Sequence, residues 1–206
     1  MSLSTDEYKN RLIRTFRDMN STEDDQKFAN ALAFGAEELV KSGEVSGSVS
    51  GEDLNPTGEF SSTSVSGYMN VDGNIAYNKI IEVCDNMYGG RNGNAYLARG
   101  IADAIDLMCT QGTFGNVLIE GTTTLGDVTT YSADQADGEF TSDGGNAIYS
   151  DLVSLFSAME RSSNRKGDAD FAQVLAQSVT DYIINGTIAL RGATHLRNAS
   201  GTGSIE

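Results

Sequence analysis

The stretch that decides the fold is FAQVLAQSVTDYIINGTI, residues 171–188. Its apolar and small residues recur at the three- and four-residue spacing that places them in one wide stripe along an α-helix. A glycine follows the last turn, and residues that favour β-strands follow the glycine. The stretch therefore predicts a helix that ends at Gly186 and leads directly into a strand.

The same pattern occurs twice more along the chain. Residues 28–45 read FANALAFGAEELVKSGEV, and residues 97–114 read LARGIADAIDLMCTQGTF. The apolar positions, the glycine and the start of the strand match in all three copies without a gap. Because glycine is the usual residue at a left-handed helix C-cap, we predict such a cap in each copy. The three cap residues are Gly43, Gly112 and Gly186.

A second helix precedes each of these stretches. Gly73-Asn74 and Gly145-Asn146 open two such helices, and the first helix of the chain is a more divergent copy. A short strand ending also recurs, as Gly58-Glu59-Phe60-Ser61, as Gly138-Glu139-Phe140-Thr141 and, more loosely, as Gly203-Ser204-Ile205. The sequence thus predicts an α+β fold of three tandem helix–helix–β-hairpin modules, at residues 5–71, 72–142 and 143–206.

Composition narrows the classes of function. The 206 residues include 14 Lys and Arg against 29 Asp and Glu, which gives a net charge of −15. Such a charge repels nucleic acid and anionic bilayers, so neither is an expected partner. No stretch reaches the roughly 18 consecutive apolar residues of a membrane span. The first residues do not have the pattern of a signal peptide, and we expect synthesis in a cytoplasm.

The chain is poor in the side chains that enzymes use. It has one histidine, two cysteines and no tryptophan. His195 falls in a segment predicted as a hairpin, where a surface position is expected. Cys84 and Cys109 fall at apolar positions of helices, which predicts free, buried thiols. We therefore predict a protein without catalytic residues, cofactor or metal.

One acidic segment leaves other chemistry open. Asp134, Asp137, Glu139 and Asp143 lie close together in SADQADGEFTSDGG. Oxygen ligands at such spacing suit calcium, although the spacing is not that of a twelve-residue EF-hand loop, and a solvated turn is the favoured interpretation. A hydrolase with paired carboxylates would need two of these acids roughly 5 to 9.5 Å apart in a cleft.

The predicted strands are rich in Ser, Thr and Gly and contain few apolar residues. Strands of this kind are weakly specified alone and leave edges that assemblies exploit by pairing between chains. We therefore predict that their apolar residues contribute to contacts with neighbouring subunits. These residues are Val45, Val49, Phe60, Val65, Phe114, Val117, Val128, Phe140, Ile188 and Ile205.

An Ala-rich helix that ends in glycine and runs into a short Thr/Ser/Gly strand pair resembles the small virion structural proteins of tailed bacteriophages. The resemblance rests on stretches such as FAQVLAQSVTDYIINGTIAL and NASGTGSIE. It covers the second helix and hairpin of each module, about half of the chain. It implies a structural part of a tail, neck or baseplate, located in the virion, whose partners are other virion proteins and copies of the chain in a symmetric ring or sleeve. An adaptor or host-attachment module is the alternative.

Overall fold

The structure of the chain is a computed structural model that describes residues 4–19, 24–54, 57–88, 93–123, 128–133, 138–161, 167–191 and 196–206. Within these ranges the fold is α+β, with six helices and seven strands, as the sequence predicts at the level of fold class. The helices are α1 Thr5–Asp18, α2 Asp24–Ser42, α3 Gly73–Tyr88, α4 Asn94–Thr110, α5 Asn146–Arg161 and α6 Asp168–Ile184. The strands are β1 Val45–Leu54, β2 Thr57–Asn70, β3 Thr113–Thr123, β4 Val128–Ala133, β5 Gly138–Thr141, β6 Thr187–Arg191 and β7 Leu196–Ile205.

The helices form a closed ring. Each packs against the next along the chain, and α6 packs against α1. Three of them, α2, α4 and α6, also lie against strands β2, β5 and β7, and α2 contacts both α4 and α6. The buried sides of α2 and α4 are rich in alanine and glycine, and α6 buries Ala172, Ala176 and Ser178, so the inner helices can approach closely. The outer helices α1, α3 and α5 complete the ring.

The strands form one antiparallel sheet in the order β4-β3-β2-β1-β7-β6-β5. At one end of this order, β5 also approaches β3, because Gly138 lies against Phe114. A Cβ placed at Gly138 would be only 2.4 Å from Cδ2 of that phenylalanine. Among the described strands, β4 pairs with β3, and β5 pairs with β6. The last strand of the order therefore lies beside the start of β3 without a ladder between their described residues.

Three strand contacts at the end of the sheet near the helices share one register. The residue two positions after each helix-ending glycine is paired with an apolar residue near the end of another strand. The pairs are Val45 with Ile205, Phe114 with Met69, and Ile188 with Phe140. All six side chains are buried or partly buried, and they join the sheet to the inner helices. A single core therefore underlies the whole sheet.

The short strand ending predicted around Phe60 is misplaced. In β2, Phe60 pairs with Gly51 and with Thr123, far from the end of the strand. The position that matches Phe140 and Ile205 is taken by Met69, in the stretch Gly67-Tyr68-Met69. The two Gly-Glu-Phe stretches are similar in sequence but do not hold equivalent places in the sheet, because strand pairing depends on register and not on local identity.

The three glycines after the inner helices do not adopt the predicted left-handed conformation. Among the described glycines, positive φ angles occur at Gly93, Gly144 and Gly145 only. Gly43, Gly112 and Gly186 instead donate their N–H to a carbonyl three residues earlier, at 3.0–3.2 Å, so the last turn is tightened. For two of them the reason for glycine is space. A Cβ would be 2.6 Å from Met69 Cε at Gly112 and 2.1 Å from Phe140 Cζ at Gly186.

The predicted module boundaries fall between elements. Residues 5–71 contain α1, α2, β1 and β2; residues 72–142 contain α3, α4 and β3–β5; and residues 143–206 contain α5, α6, β6 and β7. The order of two helices followed by strands thus occurs three times along the chain. However, the buried apolar side chains of all three stretches belong to one cluster. The stretches share a core and do not each enclose their own.

Candidate functional site

The strand residues predicted as an interface lie inside the chain. Seven are at most 5 % exposed: Val45, Val49, Phe60, Val65, Phe140, Ile188 and Ile205. Phe114 is partly buried against the same cluster, and the side chains of Val117 and Val128 lie outside the described residues. The described strands that carry these residues pair with one another within one chain. The described side chains of this set therefore form the core and offer no surface to a neighbour.

The acidic segment is only partly described. His195, Asp134 and Asp137 lie outside the described residues. Glu139 is exposed and lies 3.8 Å from the Arg191 guanidinium, while Asp143 accepts the N–H of Ala147 at 2.9 Å, at the start of α5. Among described residues, no group of three His, Cys, Asp or Glu side chains is placed to hold a metal ion.

Both cysteines are free and buried, which confirms the prediction for the thiols. Burial raises the pKa of Cys84 to about 11, and burial also raises the pKa of Cys109 well above its ordinary value. Because the thiolate is the nucleophilic form, both groups are unreactive at neutral pH. Their role is packing.

A buried polar contact ties three elements together. Asp106 of α4 accepts a hydrogen bond from Tyr182 Oη of α6 and another from Ser142 Oγ, both at 2.6 Å. Burial, with Cys109 and Asp106 nearby, raises the pKa of Tyr182, so its hydroxyl stays protonated and donates. On the other side of the ring, the Thr5 and Thr180 hydroxyls share a hydrogen bond of 2.8 Å. Polar side chains thus join neighbouring helix pairs.

An apolar surface lies at the end of the helix ring farthest from the sheet, which we call the helix pole. Here α1 and α5 end and α2 and α6 begin, because the inner helices run from this end toward the strands. Phe16, Phe28, Phe156 and Phe171 pack together with ring centroids 5.5–6.2 Å apart. A cavity of about 500 Å³ opens between them and Leu97, and Asp24 and Asp168 also line it.

The cavity continues on one side of the helix pole. An adjoining cavity of about 420 Å³ is lined by Met87, Tyr88 and Cys84 of α3, together with Met19, Phe28 and Leu97. Tyr88 is 80 % exposed, the largest exposure among the big apolar side chains that the structure describes. Contiguous apolar surface of this kind marks contact sites between proteins.

Sequence reasoning did not single out the helix pole. Its residues continue the apolar stripe of each helix, so the pattern alone assigns them to the core. One signal was available: Met19, Met87 and Met159 occupy the same position near the end of each outer helix. Methionine is common at adaptable binding surfaces.

A second concave surface, here called the lateral groove, lies between α1, α2 and α3. Its volume is about 610 Å³, larger than either cavity at the helix pole. The lining is mostly polar and is formed by Thr15, Asp18, Gln26, Lys27, Asn30, Phe34, Asn74 and Tyr77. The two aromatic rings lie side by side, with centroids 6.1 Å apart. An aromatic wall with several polar side chains is typical of a binding site.

The sequence has been compared with protein-family models and with curated proteins. No protein-family model matches the sequence, and none of the curated proteins shows a significant match. Among the described helices, none has the length and apolar character that crossing a membrane requires.

Proposed function

We propose that the chain is a non-enzymatic structural component of a tailed bacteriophage particle, in its tail, neck or baseplate. In this proposal three similar modules, fused in one chain, surround a common axis like the subunits of a trimer. The chain then serves as a building block that holds neighbouring virion proteins. The observation that carries the proposal is the closed ring of six helices together with three strand pairings that share one register.

The strand register supports three similar modules. Each glycine-to-strand segment pairs with the final strand of the module before it: β3 with β2, β6 with β5, and β1 with β7. The last of these pairs joins the third module back to the first. In a cyclic trimer the same contact would form three times between separate subunits. Here two of the three contacts join modules that follow each other directly in the chain.

The polar contacts between helix pairs support the same arrangement. Asp106 lies nine residues after Leu97, and Thr180 lies nine residues after Phe171, so the two hold equivalent positions on inner helices. Asp106, in the second module, accepts from Tyr182 of the third module. Thr180, in the third module, shares a hydrogen bond with Thr5 of the first. The buried polar side chains are thus used to hold modules together, as expected for a structural protein.

The helix pole is where we expect neighbouring virion proteins to bind. Phe28, Leu97 and Phe171 lie at equivalent positions near the starts of the three inner helices, and all three line the same cavity. In the proposal the common axis of the modules passes between them, which suits a partner placed on that axis in a tail or neck, where proteins stack coaxially. We therefore assign the contacts with neighbouring proteins to the helix pole and not to the strands, because the described strands pair within the chain.

An adaptor or host-attachment module is the second candidate. The lateral groove favours it, because the groove is open, polar and lined by aromatic rings, and it occurs between one pair of modules. The two proposals differ in stoichiometry. A structural component is present in fixed copy number in every particle, whereas an adaptor can be lost without preventing particle assembly.

The test is to purify particles made by the genome that encodes this chain and to count its copies by mass spectrometry. We expect the same fixed copy number in every particle. Leu97→Lys, which places a charge in the helix pole, should lower incorporation about tenfold or more, whereas Leu107→Lys, at a position already 38 % exposed on the same helix, should not. Melting temperatures of the two purified variants show whether each folds. A chain that is abundant in the lysate but absent from particles contradicts the proposal.

A further inference from the structure

The lateral groove has a counterpart within the same molecule, between α4 and α5. There the space is occupied by Arg99. Its guanidinium carbon lies 4.1 Å from the centroid of the Tyr149 ring, and Nη2 donates to Asn146 Oδ1 at 3.1 Å. Asp103 lies 3.6 Å from the same guanidinium. A planar cation over an aromatic face with a carbonyl and a carboxylate at its edge is a favourable arrangement.

The two places correspond residue by residue. In the lateral groove Tyr77 stands where Tyr149 stands, and Asn74 stands where Asn146 stands, each 72 positions earlier. Both asparagines also make the same kind of local contact. Asn146 Nδ2 donates to the Asp143 carbonyl, and Asn74 Nδ2 donates to Asp72 Oδ1 at 2.7 Å. Because Nδ2 is used in these local contacts, Oδ1 of each asparagine is the amide atom that can accept a hydrogen bond from another group.

The arginine itself is missing from the lateral groove. Asn30 stands at the position of Arg99, and Phe34 stands at the position of Asp103. The shorter Asn30 leaves the space open, while Phe34 adds a second ring beside Tyr77. Asp18, from the end of α1, supplies a carboxylate to the lining. The groove thus retains the ring, the amide oxygen and a carboxylate, but not the cation that they hold elsewhere.

We infer that the lateral groove binds the side chain of an arginine from a partner protein, with the guanidinium over Tyr77 and hydrogen-bonded to Asn74 Oδ1. The inference uses the correspondence between the helix pairs and does not depend on the assignment to a phage particle. The net charge of −15 favours a basic partner. Arginine fits better than lysine, because only a planar guanidinium can stack on the ring and donate at its edge together.

Lys27 also lines the groove, so a carboxylate ligand is the competing possibility that the test must separate. The probes are N-acetyl-L-arginine amide, the lysine and citrulline analogues, acetate and free L-arginine. Binding is followed by NMR through the ring signals of Tyr77, with the full chain. We expect saturable shifts with the arginine amide, at least about fivefold weaker binding of the lysine and citrulline analogues, and no saturable shift with acetate.

Reciprocal variants provide matched controls. Asn30→Arg should fill the groove from within, as Arg99 fills its counterpart, and abolish the response to the arginine amide. Arg99→Asn should open the counterpart and add a second response at Tyr149. Tyr77→Ala should weaken binding about fivefold to tenfold, while Tyr149→Ala should leave binding at the groove unchanged. Circular dichroism and thermal melting establish that each variant is folded.

Several results would overturn the inference. They are a response to the arginine amide that survives in folded Asn30→Arg, equal binding of the citrulline analogue, or stronger binding of acetate. Free L-arginine that binds more tightly than the blocked amide would show that the ligand is the amino acid and not a residue of a partner protein. Failure of all the probes would leave the proposed structural function unaffected, because copy number in particles is measured independently.

Discussion

Replacing Gly186 with valine should lower the free energy of unfolding by about 3 kcal/mol, as expected for an overpacked core position. A Cβ at this position would be 2.1 Å from Cζ and 2.2 Å from Cε2 of Phe140. That ring cannot move aside freely, because it is 2 % exposed and packs against Tyr182. For a chain of this size, such a loss corresponds to a melting temperature roughly 10 °C lower. Thermal unfolding followed by circular dichroism measures it.

The matched control is Gly167→Ser, because Gly167 is the N-cap of α6 and serine is also a favourable N-cap residue. Gly167 precedes α6, its φ is −94°, and a Cβ there would meet no atom within 4 Å. We expect this variant to melt within about 2 °C of the wild type, since exposed substitutions of this kind change stability by less than about 0.5 kcal/mol. If Gly186→Val melted like the control, the close packing of Phe140 on the end of α6 would be disproved.

Replacing Asp106 with alanine should cost about 3 kcal/mol. The change removes the acceptor for the Tyr182 and Ser142 hydroxyls, and the tyrosine hydroxyl is left buried without it. An unsatisfied buried donor carries its full desolvation penalty, and a bond to a charged acceptor is stronger than one to a neutral group. Chemical denaturation with urea gives the free energy of unfolding directly.

The hydrogen bond between Asp106 and Tyr182 can be tested specifically with a double mutant. If the cost comes from the orphaned hydroxyl, then Asp106→Ala in a Tyr182→Phe background should cost at least about 1 kcal/mol less than in the wild type. Asp181→Ala, which removes an exposed carboxylate that accepts from Gln177, should change stability by less than about 0.5 kcal/mol. Fully additive effects of the Asp106 and Tyr182 changes would show that the two side chains are not coupled.

The helices could be predicted from the sequence because their signal is local. The apolar stripe of α2, α4 and α6, the glycine that follows and the strand after it are all contained in about 18 residues. The positions of the helix-ending glycines were likewise predictable. Their conformation was not, because the reason for glycine at Gly112 and Gly186 is the approach of Met69 and Phe140 from strands distant in the sequence.

The strand arrangement could not be predicted from the sequence for the same reason, because the strands that pair are distant in the chain. The apolar residues of the hairpins were interpreted as contacts with other chains, since each hairpin considered alone leaves open edges. In the structure, Val45 pairs with Ile205 at the opposite end of the described chain. A pairing over such a separation leaves no local mark in the sequence, and it gives β1 a partner on both sides, β2 and β7.

The two candidate binding surfaces differ in how far they could be predicted from the sequence. At the helix pole, Phe28 and Phe171 satisfy the rule for core residues, and only their place at the end of the ring leaves them partly accessible. The lateral groove requires a comparison between modules: Asn30 in place of Arg99 is visible in the aligned sequences. Its meaning appears only once Arg99 is found over Tyr149.

We propose that three similar modules form a ring, with the third joined to the first as the others are joined. A circular permutant tests this arrangement. Glu206 is joined to Met1, and the new chain begins at Asp143 and ends at Ser142. The direct join leaves five residues between Ile205 and Thr5, the same number that lies between Phe140 and Asn146, so no linker is added.

The control has the same join but new ends between Asp103 and Ala104, in the middle of α4, where the cut interrupts a buried helix. The measurement is thermal unfolding of both permutants beside the wild-type chain. If the modules form such a ring, we expect the first permutant to fold cooperatively and to melt within about 5 °C of the wild type, while the control does not fold. An unfolded first permutant, or two permutants of equal stability, would contradict it.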